Sequence, residues 1–224
     1  MPGRIEWDKT SEKLFETGTD RGVIYPYDAA TKGYGKATPW SGLTGVTESP
    51  SGAEQTALYA DNIKYITLVS AEDFGGTIKC YMYPDEFKEC NGEKELVKGV
   101  TIGQQSRKSF GFSYRTLIGN DTEGTEYGYK IHLVYGCLVT PSDKDNTTVN
   151  DSPSGNEMSY EFSSTPINVQ AEGCKPTAHV VIESTGLEPD KLKAIEDALY
   201  GSASADGKLL TPDEIIAIVN GHGE

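Results

Sequence analysis

The feature of this 224-residue sequence that most restricts its fold is an alternation of apolar and polar residues with a period of two. Successive side chains of a β-strand point to opposite faces, so this alternation predicts strands that bury one face. The clearest example comprises Tyr129, Ile131, Leu133, Tyr135 and Cys137. The other predicted buried faces are Ile63/Tyr65/Thr67/Val69, Ile78/Cys80/Met82, Phe110/Phe112/Tyr114, Met158/Tyr160/Phe162 and Val180/Ile182.

Turn-forming residues separate these runs. The breaks are Gly75-Gly76, Asn91-Gly92, Gly119-Asn120-Asp121 and Pro141-Ser142-Asp143. Glycine, proline and Asn/Asp clusters mark turns, and most of the predicted strands have no helical pattern between them. The sequence therefore predicts a mainly β protein, an antiparallel β-sandwich or barrel.

Two regions depart from this pattern. Residues 26–62 have few large aliphatic side chains and many Gly, Thr, Ser and Pro residues, which indicates either disorder or a long loop or arm that a partner orders. The C-terminus instead has helical signals. We expect residues 1–186 to form the β domain, including the arm at 26–62, and residues 187–224 to form a helical segment packed on it.

The C-terminal signals predict two helices. Pro189 opens a helix with Leu192, Ile195, Leu199 and Tyr200 on one face, and Gly201 ends it. Thr211-Pro212-Asp213-Glu214 then has the form of a capping box, in which an N-cap Thr pairs with a Glu three residues later. Ile215, Ile216 and Val219 form the apolar face of this second helix.

The charge of the chain excludes several functions. Its formal net charge is −14 and its pI is about 4.6, so it lacks the basic surface that nucleic-acid binding needs. Residues 1–112 carry 16 acids and 13 bases, and residues 113–224 carry 18 acids and 7 bases, so net charges are −3 and −11. No basic amphipathic helix, apolar run of membrane-spanning length or secretion signal is visible, and we expect no membrane binding and synthesis in a cytoplasm.

No motif indicates an enzyme, a metal site or a cofactor. The nucleophile-elbow, phosphate-loop and dinucleotide-binding motifs are absent, and the three histidines (His132, His179, His222) are scattered. His132 is expected to point outward, since its neighbours Ile131 and Leu133 take the buried face. Without CxxC spacing, Cys80, Cys90, Cys137 and Cys174 are expected to be buried free thiols.

Three acidic patterns remain weak. Residues 202–213 imitate the ligand spacing of a calcium-binding loop but offer few carboxylates, so a polar connection between the helices is favoured. The pairs Glu72-Asp73 and Asp85-Glu86 each precede a Phe. Sequence cannot place either pair opposite a partner across a sugar, and a short helical turn with the aromatic ring buried is favoured for both.

Several long segments resemble the major tail protein family of long-tailed, non-contractile phages and prophages of Gram-positive bacteria. The segments follow the same order as in that family and cover nearly the whole chain after about residue 20. They are WSGLTGVTESPSGAEQTALYADNIKY (40–65), VSAEDFGGTIKCYMYPDEF (69–87), VTIGQQSRKSFGFSYRTLIGNDTEGTEYGYKIHLVYG (100–136), VNDSP (149–153), KPTAHVVIEST (175–185), LKAIEDALYG (192–201) and LTPDEIIAIV (210–219).

The resemblance implies a structural virion protein, not an enzyme. Its β-sandwich subunits would form hexameric rings that stack into the hollow tail tube through which DNA is ejected. The implied partners are other copies of the chain and the tape measure, tail terminator and tail-tip proteins. An acidic lining would repel DNA in transit over about 8 Å at physiological salt.

We expect the arm to carry contacts between subunits, specifically at Trp40, Thr44 and Tyr59, because aromatic residues are enriched at interfaces. The alternative is a carbohydrate- or receptor-binding β-sandwich module of a phage particle, since tyrosine-rich loops can stack on sugars. A tail subunit would polymerise, whereas a binding module would remain a small oligomer.

Overall fold

The computed structural model describes residues 4–148 and 155–221, which form a mainly β structure. Its α-helices are α1 (Phe87–Cys90), α2 (Pro189–Tyr200) and α3 (Pro212–Asn220), and a 3-10 helix covers Ser184–Gly186. The strands are β1 (Leu14–Asp28), β2 (Gly33–Tyr34), β3 (Thr38–Pro39), β4 (Leu43–Glu48), β5 (Ser51–Gly52), β6 (Gln55–Ala60), β7 (Ile63–Val69), β8 (Glu72–Asp73), β9 (Gly75–Cys80), β10 (Lys94–Val97), β11 (Val100–Ile102), β12 (Phe110–Asn120), β13 (Gly124–Val139), β14 (Met158–Ser163) and β15 (His179–Glu183).

Nine of these strands are connected by antiparallel pairing. The main path runs β2-β1-β12-β13-β14-β9-β4, while β15 pairs with β13 and β3 pairs with β1. The predicted class is therefore confirmed in its sandwich form, and the sheet does not close into a barrel.

Strand β13 belongs to both layers of the sandwich because it bends near Gly136. Its first part pairs with β12 and β15, and its last residues pair with β14. Between the Phe112–Val134 and Phe110–Cys137 pairs, β13 has one residue more than β12, and Gly136 has a φ of 59°. This β-bulge reverses the alternation of side chains.

The bulge corrects one prediction from the sequence. Ile131, Leu133 and Tyr135 pack in one core, as the period-two pattern predicts, but Cys137 packs with Val134 in the other. Because an extra residue shifts the alternation by one position, Cys137 lies on the face opposite to Tyr135.

Gly136→Ala is expected to lower the free energy of unfolding by about 2 kcal/mol or more. A left-handed backbone costs a residue with a Cβ roughly 1–2 kcal/mol, and an added Cβ would lie 2.7 Å from the backbone oxygen of Thr165. Urea unfolding measures the loss. Gly103→Ala is the control, because a Cβ at Gly103 meets nothing within 4 Å; equal stability of the two variants would contradict the role of the bulge.

Two hydrophobic cores lie on opposite faces of the β1–β12–β13–β15 layer. The first fills the space between the two β-layers and includes Phe87, Phe110, Phe112, Tyr160 and Phe162. The second lies under α2 and α3, where the predicted alternation of β13 meets the apolar faces of the helices. The middle layer is thus covered on both sides.

Both C-terminal helices begin where the sequence predicts, and α2 also ends there. Pro189 is the first residue of α2 and Gly201 follows its last, while Thr211 and Glu214 form the predicted capping box of α3. Ile195 and Leu199 are fully buried in the second core. The Tyr25 hydroxyl donates a hydrogen bond of 3.0 Å to the Leu199 carbonyl, which ties α2 to β1.

The segment predicted to form a single arm, residues 26–62, divides into two parts. Residues as far as Glu48 are built into the β-layers through β2, β3 and β4. Trp40 donates its backbone N–H to the Gly22 carbonyl at 2.7 Å, and its ring lies in the first core. Here backbone pairing to distant strands replaces the apolar pattern that the sequence lacks.

The projecting part is a two-stranded ribbon, defined here as residues 51–73. In it β5 pairs with β8 and β6 with β7. Asp61 and Asn62, with φ values of 51° and 64°, form its turn, as positive φ at both central residues of a two-residue hairpin requires. The predicted buried face of Ile63, Tyr65, Thr67 and Val69 is wrong, because among the described residues β7 pairs only with β6. Thr67 is half-buried and the other three side chains are exposed.

Three further predictions need correction. Met82 lies beyond the end of β9 and is exposed, Glu72-Asp73 forms strand β8 instead of a helical turn, and Cys174 is an exposed thiol. Other expectations are confirmed. Phe87 is buried at the start of α1 after Asp85-Glu86, and Cys80, Cys90 and Cys137 are buried and free.

Candidate assembly surface and buried histidine–glutamate cluster

The ribbon presents an unusual amount of exposed apolar surface. Every residue of β6 and β7 is exposed except Ala57 and Thr67, which are half-buried. The large apolar side chains that it exposes are Leu58, Tyr59, Ile63, Tyr65, Ile66, Leu68 and Val69, which are 44 to 74% exposed. Exposed apolar surface on this scale marks an interaction site.

The three residues predicted to contact other subunits have different positions. Trp40 is only 3% exposed, because its side chain packs in the first core of its own chain. Thr44 is exposed on β4 and its hydroxyl donates a 2.6 Å hydrogen bond to Glu157. Tyr59 is 71% exposed on the ribbon. Of the three, Tyr59 offers the largest free surface.

Two other segments also expose apolar side chains. Ile5 and Trp7 near the N-terminus are 70% and 76% exposed. The β10–β11 hairpin exposes Leu96, Val97 and Val100. The described part of the chain thus exposes apolar side chains in several separate segments. This distribution favours more than one contact with other molecules.

A different kind of site lies at the margin of the first core, where Glu48, His132 and His179 meet. His132 is on β13, His179 begins β15 beside it, and Glu48 ends β4 in the opposite layer. His132 is 7% exposed, so the prediction that it points outward is wrong. The face opposite to Ile131 and Leu133 is also buried, since the second β-layer covers it.

Three polar atoms of this cluster are close to one another. Glu48 Oε1 lies 3.2 Å from His132 Nδ1 and 3.4 Å from His179 Nε2, and the two nitrogens are 3.3 Å apart. The Tyr114 hydroxyl donates a short hydrogen bond to the same Glu48 oxygen. One carboxylate and two imidazoles form a ligand set that is common for divalent transition metals.

The remaining ring nitrogen of His132 has its own partner. Its Nε2 lies 3.0 Å from Thr116 Oγ1, and the Thr116 hydroxyl donates to Glu16 Oε1 at 2.7 Å. A hydroxyl has one proton, so the oxygen of Thr116 accepts from His132 Nε2–H. In the neutral ring the lone pair is therefore on Nδ1, which faces Glu48 and His179.

Burial favours the neutral form of both imidazoles. It lowers the pKa of His132 and of His179, against the opposing effect of the Glu48 carboxylate. Burial also raises the pKa of Tyr114, whose proton remains available for Glu48. The hydrogen bond from Lys130 lowers the pKa of Glu16, which stays ionised behind Thr116.

Stacked rings hold the cluster in place. The Tyr114 ring is stacked on His132 with centroids 4.5 Å apart, and Phe74 is stacked on His179 at 4.6 Å. Gly76 allows β4 to approach closely, because a Cβ there would lie 2.4 Å from the Thr47 carbonyl oxygen. These contacts fix the two imidazoles and bring the end of β4 beside them.

Sequence reasoning missed this cluster because its members are far apart in the chain. Its ligands come from three strands, and no short spacing connects them. The available signal was the placement of His132 and Tyr114 on strands with apolar residues on both faces. His222 lies outside the described residues.

The calcium-like loop shows no cage of free carboxylates in the described residues. Asp206 forms an ion pair with Lys36 at 2.8 Å, and Asp213 accepts the backbone N–H of Gln170 at 3.0 Å. Protein groups thus already occupy both carboxylates, which favours the polar connection predicted for residues 202–213. Among the described residues, no helix is sufficiently long and apolar to cross a membrane.

Comparison with known proteins finds a distant structural similarity. No protein-family model and no curated protein match the sequence. One similar solved structure is that of an extracellular contractile injection system, the PVC sheath-tube complex in its extended state. It is 13% identical, with 72% of this chain and 88% of that chain covered and a TM-score of 0.29. Identity and TM-score at this level are too low to support an inference about function.

Proposed function

We propose that this protein is a non-enzymatic structural subunit that assembles with copies of itself into a phage tail tube. The observation that carries the proposal is the exposed apolar ribbon. An isolated two-stranded hairpin is marginal in water, and exposed apolar side chains add no stability to it. Such a ribbon is therefore best explained as an element that another subunit covers.

A second copy of the chain is the favoured partner because the ribbon has open strand edges. Within residues 4–148 and 155–221, strands β6 and β7 pair only with each other, so their outer edges retain backbone donors and acceptors without a strand partner. A neighbouring subunit can extend such an edge by strand addition, and its apolar side chains can cover those of the ribbon. The six residue pairs of β6 and β7 extend about 20 Å, far enough to reach across a subunit boundary.

The finer role follows from the resemblance of the sequence to major tail proteins. We propose hexameric rings that stack into a hollow tube, with the tape measure, tail terminator and tail-tip proteins as further partners. The chain would be made in the bacterial cytoplasm and function in the virion tail. Its net charge of −14 suits passage of DNA, since cationic linings would bind phosphates by counterion release.

Electron microscopy across a concentration series tests this proposal, with mass photometry alongside. Uniform rings or hollow tubes are expected, either from the chain alone or after tail-tip complexes are added to start growth. A chain that stays monomeric under both conditions would contradict the proposal.

A ribbon variant gives the sharper result. Changing Tyr59, Ile63 and Tyr65 together to Ser is expected to raise the concentration needed for assembly more than about tenfold. A tenfold rise corresponds to a loss of about 1.4 kcal/mol in the free energy of association between subunits. The unfolding midpoint of the monomer should change little, because all three side chains are exposed. Ile216→Ser, which alters an exposed residue of α3, is the control and should assemble normally.

The second candidate is a carbohydrate- or receptor-binding module. Tyr59, Tyr65 and Tyr81 are each more than half exposed, and such rings can stack on sugars. Glycan binding by a protein that never polymerises, abolished by the ribbon variant, would replace the tube proposal with this one.

A further inference from the structure

We propose that Glu48, His132 and His179 form a zinc-binding site that connects the two β-layers at the base of the ribbon. Its three ligand atoms would be Glu48 Oε1, His132 Nδ1 and His179 Nε2. They are within 4.8 Å of one another and come from three separate strands.

The distances among these atoms match those required around a tetrahedral zinc ion. Zinc binds imidazole nitrogen at about 2.0–2.1 Å and carboxylate oxygen at about 2.0–2.2 Å, so neighbouring ligand atoms lie roughly 3.3–3.5 Å apart. The three observed separations are 3.2, 3.3 and 3.4 Å. Three protein ligands leave a fourth position for water.

The hydrogen bonds around the cluster leave a surplus of lone pairs. In the neutral form of His132, Nε2 donates to Thr116 and Nδ1 has a lone pair. This Nδ1 lies 3.2 Å from a Glu48 oxygen that already accepts from Tyr114. His179 Nε2 can supply at most one proton to the trio. Two acceptors at this distance repel unless a proton or a metal ion lies between them, and a zinc ion would satisfy all three atoms at once.

The neighbouring contacts resemble those that orient metal ligands. In metal sites the second imidazole nitrogen usually donates to a fixed acceptor, as His132 does to Thr116. The Glu48 side chain is 35% exposed while those of His132 and His179 are 9% and 17% exposed. The carboxylate therefore provides the route by which the ion enters.

Zinc at this position would restrain the ribbon. Glu48 ends β4, and the ribbon begins three residues later at Ser51. An ion held by Glu48, His132 and His179 would attach this end of β4 to β13 and β15. The same restraint would stabilise a tail subunit and a glycan-binding module alike, so the site does not depend on the proposed function.

Calorimetric titration of untagged, chelator-treated full-length protein with ZnCl2 tests the proposal. We expect one zinc ion per chain, and a rise in Tm of roughly 5–10 °C at free zinc about a hundredfold above Kd. Glu48→Gln and His179→Asn should each weaken binding more than about 100-fold, since even loss of an outer hydrogen-bond partner costs 10–100-fold. Glu48→Gln retains an oxygen acceptor for Tyr114, so its fold should survive.

Cys174→Ser and His222→Ala are the matched controls, because they remove an exposed thiol and the third histidine, neither of which is one of the three proposed ligands. Both should bind zinc as the unaltered chain does. X-ray absorption of the zinc-loaded unaltered protein should give nitrogen and oxygen ligands without sulfur, a result that needs no variant to fold. No saturable binding, sulfur ligands, or equal binding by Glu48→Gln and His179→Asn would each overturn the proposal.

Discussion

Trp40→Ala is expected to lower the free energy of unfolding by about 3–5 kcal/mol, the usual cost of removing a large aromatic side chain from a core. Trp40 is 3% exposed, and its ring lies 4.5 Å from Phe87 and 5.6 Å from Phe112 between centroids. The indole N–H also donates to the Met82 carbonyl at 3.0 Å, so the substitution leaves that acceptor without its partner.

Equilibrium unfolding in urea, followed by circular dichroism, measures this loss. Trp7→Ala is the control, because Trp7 is 76% exposed and its removal should change stability by no more than about 0.5 kcal/mol. The sequence placed Trp40 among the contacts between subunits, and from that position Trp40→Ala would hinder tube growth while leaving the β-structure of the monomer intact. A Trp40→Ala variant with unchanged stability and impaired tube growth would support a contact between subunits and contradict a stabilising role of Trp40 in the core.

Leu199→Ala is expected to cost about 2–5 kcal/mol, because this side chain is fully buried between α2 and the middle β-layer. Its loss would leave a cavity next to Tyr25, whose hydroxyl donates to the Leu199 carbonyl. The expected result is a lower urea midpoint with a single cooperative transition, since α2 and the sheet share one core.

Ile216→Ala on α3 provides a matched control, because Ile216 is an apolar helix residue that is 41% exposed. It should lose much less stability than Leu199→Ala. If the two variants were equally stable, or if β-structure unfolded independently of the helices, α2 would not be part of the second core.

Local patterns predicted a large part of the fold. The strands containing Phe112, Leu133 and Tyr160 lie where the alternation indicated, and both C-terminal helices begin at their predicted proline residues. These features depend on interactions within a few residues, namely side-chain alternation, proline at the first helical turn and the capping box of Thr211 and Glu214.

Predictions failed where a distant strand determined the environment. The alternation of Ile63 and Tyr65 correctly predicts a strand, but whether one face is buried depends on a second layer, which the ribbon lacks. At Cys137 a single bulged residue reversed the face. Trp40 lies in a poorly patterned segment and is nevertheless buried, because pairing with β1 and packing on Phe87 come from elsewhere in the chain.

The sequence by itself determined the mainly β class, the positions of the principal strands and the two C-terminal helices, because these depend on neighbouring residues. Only the tertiary structure decided which faces are buried, that the ribbon at 51–73 projects, and that Glu48, His132 and His179 meet. The last of these depends on the packing of β4 over β13 and β15. Contacts between residues more than 40 positions apart leave no periodic signal in a single sequence.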